Sequence, residues 1–286
     1  MEIGIGLPNA VPGTTGGELI DFARRAEERG FSTLGTLDRI VYDSHEPLVA
    51  FGAAAAVTER IGLTTAIVVG PPRANDVLLA KQAATVQALS GGRLTLGIGL
   101  GARDDDYEAS GVSTGGRGAR LDRQLETIKR VWDGEDFGYA GAVGPSPDPQ
   151  PPILVGGGVE ASFRRAAEYG DGWIMGGGTP EQFAEGSQGA RSAWSEARDG
   201  EPRLEAITYF GLGPDGETKA KEDLHHYYAW LGEEMAGMIA GSAATSEETV
   251  SQYVSAFAEV GCQRLIFFAT SSDSQQVDLL ADAAGL

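Results

Sequence analysis

Eight short β-rich runs alternate with stretches of helical periodicity along this chain, and strict alternation of that kind dictates parallel strands joined by right-handed crossovers. The strand candidates lie at 3–7, 32–37, 62–69, 94–100, 153–155, 172–175, 206–212 and 264–269, with helices expected at 17–29, 48–60, 75–89, 117–132 and 159–169. Glycines such as Gly30, Gly91, Gly134 and Gly170 stand where the helices should stop. Eight strands close on themselves, so the expected architecture is α/β: a single (β/α)8 TIM barrel over 1–286 with an insertion after strand 7.

Such barrels place their active sites at the C-terminal ends of the strands. That rule selects three segments that follow strands, 38–47, 101–116 and 211–246. It sets aside the Gly- and Pro-rich loop 137–152, which follows a helix and belongs to the opposite face. The third segment carries His225, His226, Tyr227, Tyr228 and Trp230. This aromatic density suits a cover over a planar or apolar ligand, and equally suits packing against the barrel.

Composition removes several classes of function. With 22 basic and 41 acidic residues the net charge is −19, which offers no basic footprint for nucleic acid or for an anionic membrane. No apolar run approaches the ~20 residues of a membrane span. A lone cysteine, Cys262, forms no internal disulfide and reads as packing before the last strand. With no leader pattern after Met1, a cytoplasmic location is expected. His225 and His226 are adjacent, so they point about 100° apart on a helix and do not make a zinc pair. The run Asp104-Asp105-Asp106 favours a helix N-terminus rather than a cation cage, and no metal is expected. No G-x-S-x-G elbow follows a strand, which argues against acyl transfer.

Two glycine triplets carry the strongest functional signal: Gly156-Gly157-Gly158 and Gly176-Gly177-Gly178, each between an apolar run and a helix. Bare backbone N–H groups at a helix N-terminus suit an anion such as phosphate. A lone triplet is better explained by a tight turn; two successive triplets about 20 residues apart in a barrel pattern favour a ligand.

Several segments, in order, resemble the bacterial-luciferase-like superfamily of flavin-dependent barrel enzymes. They include IGIGLPN (3–9), AEERGFSTLGTLDR (26–39), LSGGRLTLGIGLG (89–101), DYEASGV (106–112), PPILVGGG (151–158), RRAAEYGDGWIMGGGTPEQF (164–183) and GCQRLIFFATSSDSQQVDLLA (261–281). The resemblance implies a site for reduced FMN or for the deazaflavin coenzyme F-420, of which family members use the first to activate dioxygen and the second to move hydride. It implies a phosphate site on Gly157, Gly158, Val159 and Ser162, with Gly176 and Gly177 touching the tail in some deazaflavin users. Thr179-Pro180-Glu181-Gln182 itself reads as a helix cap. The resemblance also implies ring support at Thr65 and Ala66, with a non-proline cis peptide that falls by position at Thr65–Ala66.

Where many relatives carry an acid followed by a catalytic histidine, this chain has Asp38-Arg39. An arginine stays protonated, so it does not cycle a proton, but it holds an anionic oxygen. A glutamate that some deazaflavin dehydrogenases carry after the fourth strand is replaced by Gly101-Ala102-Arg103. Arg103 either binds cofactor or substrate or faces Asp104–Asp106. The expected activity is a monooxygenase using reduced FMN and O2 on a small organic substrate, with Asp38 and Arg39 near the reacting edge. An F-420-dependent dehydrogenase or reductase and a non-catalytic flavin-binding protein stay open. The resemblance further implies a homodimer and, for the FMN case, a separate flavin reductase as partner.

Overall fold

The short apolar runs become nine parallel strands of one sheet, in a computed structural model that describes residues 1–286. They are β1 (Glu2–Gly6), β2 (Thr33–Thr36), β3 (Gly62–Thr65), β4 (Val68–Val69), β5 (Leu94–Gly99), β6 (Ile153–Gly156), β7 (Gly172–Met175), β8 (Arg203–Phe210) and β9 (Arg264–Ala269). Neighbours run β3-β2-β1-β9-β8-β7-β6-β5-β4, and a further β3–β5 pairing closes the ring into an eight-stranded barrel. The helices α1 (Gly16–Glu28), α2 (Pro47–Ala55), α3 (Asp76–Ser90), α4 (Asp104–Ala109), α5 (Arg117–Trp132), α6 (Glu160–Tyr169) and α7 (Pro180–Ala197) fill the first six crossovers. The expected insertion after the seventh barrel strand holds α8 (Gly216–Tyr228), a 3-10 turn (Ala229–Leu231) and α9 (Glu233–Gly241); α10 (Glu247–Glu259) and α11 (Gln275–Ala284) complete the chain. No helix is long and apolar enough to cross a membrane.

The ninth strand is the expected third strand cut in two. Leu63 pairs with Leu94 and Thr64 with Thr95, yet Val68 pairs with Ile98, so β3–β4 carries one more residue than the facing stretch of β5. That is a β-bulge, which re-aims the chain at a barrel rim. The non-proline cis bond lies within it at Ala66–Ile67, one residue beyond the expected Thr65–Ala66. Gly97 makes the bulge possible, because a Cβ there would collide with the Thr65 carbonyl.

Two other boundaries moved for visible reasons. Helix α2 stops at Ala55 rather than near Arg60 because Arg93 reaches up to its end, donating to the carbonyls of Ala55 (3.3 Å), Thr58 (2.9 Å) and Ile61 (2.7 Å). Strand β8 starts at Arg203, ahead of the expected Ala206, although Arg203 and Glu205 interrupt the apolar pattern. Glu205 is fully buried inside the bottom of the barrel, paired with Arg203 and at 3.1 Å with Arg264.

Strand side chains alternate between two apolar layers, as the period of two requires. One large cluster packs strands against helices, with Phe22, Phe51, Leu121 and Phe257 among its buried members. A smaller one fills the barrel interior and mouth, where Leu154, Ile174, Ile207, Tyr209 and Phe268 meet Leu224 of α8. Cys262 is buried with that packing role, and burial pushes its thiol up to about 12.

Candidate active site

The two glycine triplets, 20 residues apart in sequence, line a single cavity of about 540 Å³ between the N-termini of α6 and α7. Gly157, Gly158, Gly176 and Gly177 face it, with Trp173 and Gln182 as walls. The N–H groups of Gly157, Gly158, Gly176 and Gly177 have no backbone partner. The glycines divide by cause. Gly157 and Gly178 adopt φ of +131°, and a Cβ at Gly157 would press on Ser162 at 2.8 Å, so the fold itself requires them. At Gly158 and Gly176 a Cβ would meet nothing within 4 Å and φ is unexceptional. A turn requirement does not explain these two.

Val159 and Ser162 serve the helix first. Ser162 Oγ accepts from Val159 N–H at 3.1 Å and donates to Val159 O at 2.6 Å, capping α6 from within. The Val159 N–H is therefore already engaged, while the residue as a whole is 64% exposed. Thr179 and Gln182 cap α7 reciprocally, as their spacing foretold.

An adjoining cavity of about 430 Å³ runs from Gly157 and Gly176 across Ala66, Ile67, Gly99 and Leu100. Ile67 lies across glycines here: a Cβ on Gly99 or Gly156 would come within 2.8 and 3.1 Å of its side chain. The bulge thus lays a flat apolar floor of backbone and one isoleucine. Of the expected ring supports, Ala66 lines this floor; Thr65 is buried, with its hydroxyl donated to Gly97 O at 2.7 Å. Ile67 was missed, because the sequence shows a plain β run there. So was Arg165, which lines the same cavity and pairs with Asp122 at 2.5 Å.

Asp38 and Arg39 do not pair with each other. Asp38 accepts from Val69 N–H at 2.8 Å and from Arg73 at 2.9 Å, tying the loop after β2 to β4. Loss of water pushes its carboxyl up, and the Arg73 charge opposes the push. Arg39, with a side chain 7% exposed, stacks over Tyr42 at 4.3 Å and Tyr227 at 5.3 Å and donates to Tyr227 O at 3.2 Å. Arg103 turns away from the acids that follow it and stacks on Tyr227 (4.8 Å) and Trp230 (5.1 Å). Asp106, expected only to favour a helix start, is buried and accepts from Ile40 N–H and Val41 N–H at 3.0 and 2.8 Å. The three segments selected by the barrel rule, after β2, β5 and β8, therefore converge at one mouth.

Helix α8 closes that mouth. The Tyr209 and Tyr228 hydroxyls meet at 2.5 Å, one donating to the other, and burial raises both phenols, so both keep their protons. His226 is bonded to the Tyr42 hydroxyl at 2.8 Å, while His45 contacts Thr14 O at 2.7 Å, remote from both cavities. On the inner side of α8, Asp223 sits beside Leu7, Val11 and Tyr227, and burial raises its carboxyl to about 7.

Asp223 gives a pH dependence with a defined sign. Between about pH 4 and about pH 7 the unfolded chain has lost this proton and the folded chain keeps it. Stability therefore falls as pH rises through that window. Residual hydration of this part-exposed group limits the effect to about 2 kcal/mol. Asp223→Asn is expected to flatten the fall and to stabilise the protein at pH 8 by that amount, measured by urea unfolding at pH 4 and pH 8.

Comparison with known proteins agrees with this architecture. A family model described as luciferase-like monooxygenase matches residues 1–277. An uncharacterized protein of Mycobacterium tuberculosis is 34% identical over 194 residues, covering 57% of this chain and 67% of its own. An F-420-dependent glucose-6-phosphate dehydrogenase of Kineococcus radiotolerans is 33% identical over 175 residues, 55% of this chain and 52% of that one. Among solved structures, an F-420-dependent secondary alcohol dehydrogenase superposes with a TM-score of 0.80 at 18% identity, covering 99% of this chain and 98% of the other. A monooxygenase of Streptomyces bottropensis gives 0.77 at 23% identity, with the same coverage. An FMN-bound Baeyer-Villiger monooxygenase component of Pseudomonas putida gives 0.76 at 18%, covering 98% and 96%. The chain belongs to the luciferase-like monooxygenase family, whose members are flavin- and deazaflavin-dependent oxidoreductases.

Proposed function

We propose that this protein is a monooxygenase that binds reduced FMN across the two joined cavities and acts on a small organic substrate. One observation carries the reading: Gly158 and Gly176 have no steric or conformational reason to be glycine, yet both border a cavity with free N–H groups at two helix N-termini. A phosphate accounts for both, held by main-chain donors and helix dipoles. Glu185, an exposed residue of the second turn of α7, also borders this cavity and is the one carboxylate among its lining residues. The apolar floor of Ala66, Ile67 and Gly99 suits a planar ring.

Reduced FMN supplies two electrons by which one oxygen atom of O2 enters the substrate and the other leaves as water. The chain's own groups bind and orient the cofactor, and α8 with the Tyr209–Tyr228 pair excludes water from the mouth. Neither cavity is lined by a histidine, and Asp38 is committed to Arg73. Hydride removal from an alcohol needs a base for the hydroxyl proton, which favours oxygenation over dehydrogenation. The size of the cavity that both triplets line supports the other reading, an F-420 user with a longer anionic tail. A separate flavin reductase as electron source and a homodimeric assembly belong to the same proposal, as does a place in the cytoplasm.

Anaerobic titration followed by absorbance separates the readings. Reduced FMN is expected to bind well below about 1 mM, where the binding free energy is only about −4 kcal/mol, and to support substrate-dependent O2 uptake. F-420 binding at least tenfold tighter than FMN would transfer the assignment to hydride chemistry; binding of neither would remove it.

A further inference from the structure

Arg39 and Arg103 present a combination that the cofactor reading leaves unused. Both are more than nine-tenths buried, and the Nε of each is buried without a hydrogen bond. A buried guanidinium is costly unless charge or hydrogen bonds compensate it. Yet Arg103 has no carboxylate partner within ion-pair distance, and Arg39 has only the half-exposed Asp105 at 3.7 Å, with the buried Asp106, engaged by Ile40 and Val41 N–H, as a more distant counter-charge. The two cations share one aromatic ring, Tyr227, and the Arg103 charge adds to loss of water in pushing the Arg39 pKa down. Two like charges are thus held together in a chain of net charge −19.

Simple capping of α8 explains only part of this. Arg39 donates to the Tyr227 carbonyl in the last turn, but Arg103 is not needed there. Its position is informative: Ala102, the preceding residue, lines the apolar ring cavity, while Trp230 and Tyr227 flank the guanidinium itself. Stacking on ring faces leaves the planar N–H edges for an acceptor, and the guanidinium fork matches the two oxygens of a carboxylate.

We infer that Arg39 and Arg103 form the receptor for a carboxylate on the substrate, whose apolar or aromatic body lies against Tyr227 and Trp230 at the edge of the ring cavity. This rests on the monooxygenase reading and narrows its substrate to organic acids. Arg103 binds the carboxylate; Arg39, fixed by Tyr42 and Tyr227 O, supplies the second charge.

Benzoate, with benzamide as its uncharged match, is a direct probe, followed by Trp fluorescence and thermal unfolding of the full chain. Benzoate is expected to quench Trp230, lose its effect in Trp230→Phe, and bind at least tenfold better than benzamide. Arg103→Met is expected to weaken benzoate by tenfold or more while the Tm stays level or rises, since an uncompensated buried cation has been removed. An arginine present only to hold α8 would instead lower the Tm on replacement. Equal binding of the two probes, an unchanged benzoate affinity in Arg103→Met, or a drop in its Tm would each overturn the assignment. Competition between benzoate and FMN would give the cation pair to the cofactor and overturn it as well. FMN binding is read separately from flavin fluorescence, so failure of the cofactor reading is seen on its own.

Discussion

Gly158→Asp is expected to fold as well as the parent protein and to bind reduced FMN at least about a hundredfold more weakly, a loss of about 3 kcal/mol. The added side chain meets no protein atom within 4 Å and requires no backbone change. It also lies just before the positive end of α6, where an acidic group is favourable to the helix. Stability is therefore expected to stay within about 0.5 kcal/mol. The same carboxylate occupies the seat assigned to the phosphate and repels it. Gly158→Ala separates bulk from charge and should cost only a few-fold. Anaerobic absorbance titration with reduced FMN alongside urea unfolding checks both halves; undiminished FMN affinity in the aspartate variant would mean that the phosphate sits elsewhere.

The largest expected loss of stability lies at the other end of the barrel. Glu205 is fully buried and compensates Arg203 and Arg264, and Arg264 in turn reaches Glu2 at 2.5 Å and the Thr64 hydroxyl at 3.4 Å. Removing one partner of a buried pair leaves an uncompensated charge and typically costs about 3–5 kcal/mol. Glu205→Ala is expected to fall in that range in urea unfolding, with a Tm lower by about 10 °C. The FMN affinity of the surviving folded fraction should be unaltered, because this network lies at the N-terminal ends of the strands. A loss below about 1 kcal/mol would show that water enters the barrel floor and replaces the carboxylate.

Alternation and glycine punctuation made the barrel legible, and the rule that strands point their C-termini at the site selected the loops that meet at the mouth. What escaped depended on contacts between distant segments. The end of α2 is set by Arg93, more than thirty residues further on. The start of β8 was hidden because Arg203 and Glu205 look like surface charges until Arg264 is placed beside them. The bulge at Ala66–Ile67 is written jointly in β3, β4 and Gly97, so a β run read alone gives no sign of it.

Within the site, the triplets were visible, but their division into glycines required by the fold and glycines left open for a ligand was not. That distinction needs φ and the space around each Cα. The residue pair Asp38-Arg39 was likewise visible, whereas its split allegiance, one to Arg73 and the other to Tyr227, was not.

Because the proposed cofactor seat is built from main-chain amides just after β6 and β7, whereas the mouth is built from side chains after β2, β5 and β8, the two can be altered independently. Selectivity can drift through exchanges at the rim without eroding the grip on the coenzyme. A library restricted to those rim loops should therefore yield variants with new substrates and an inherited redox engine.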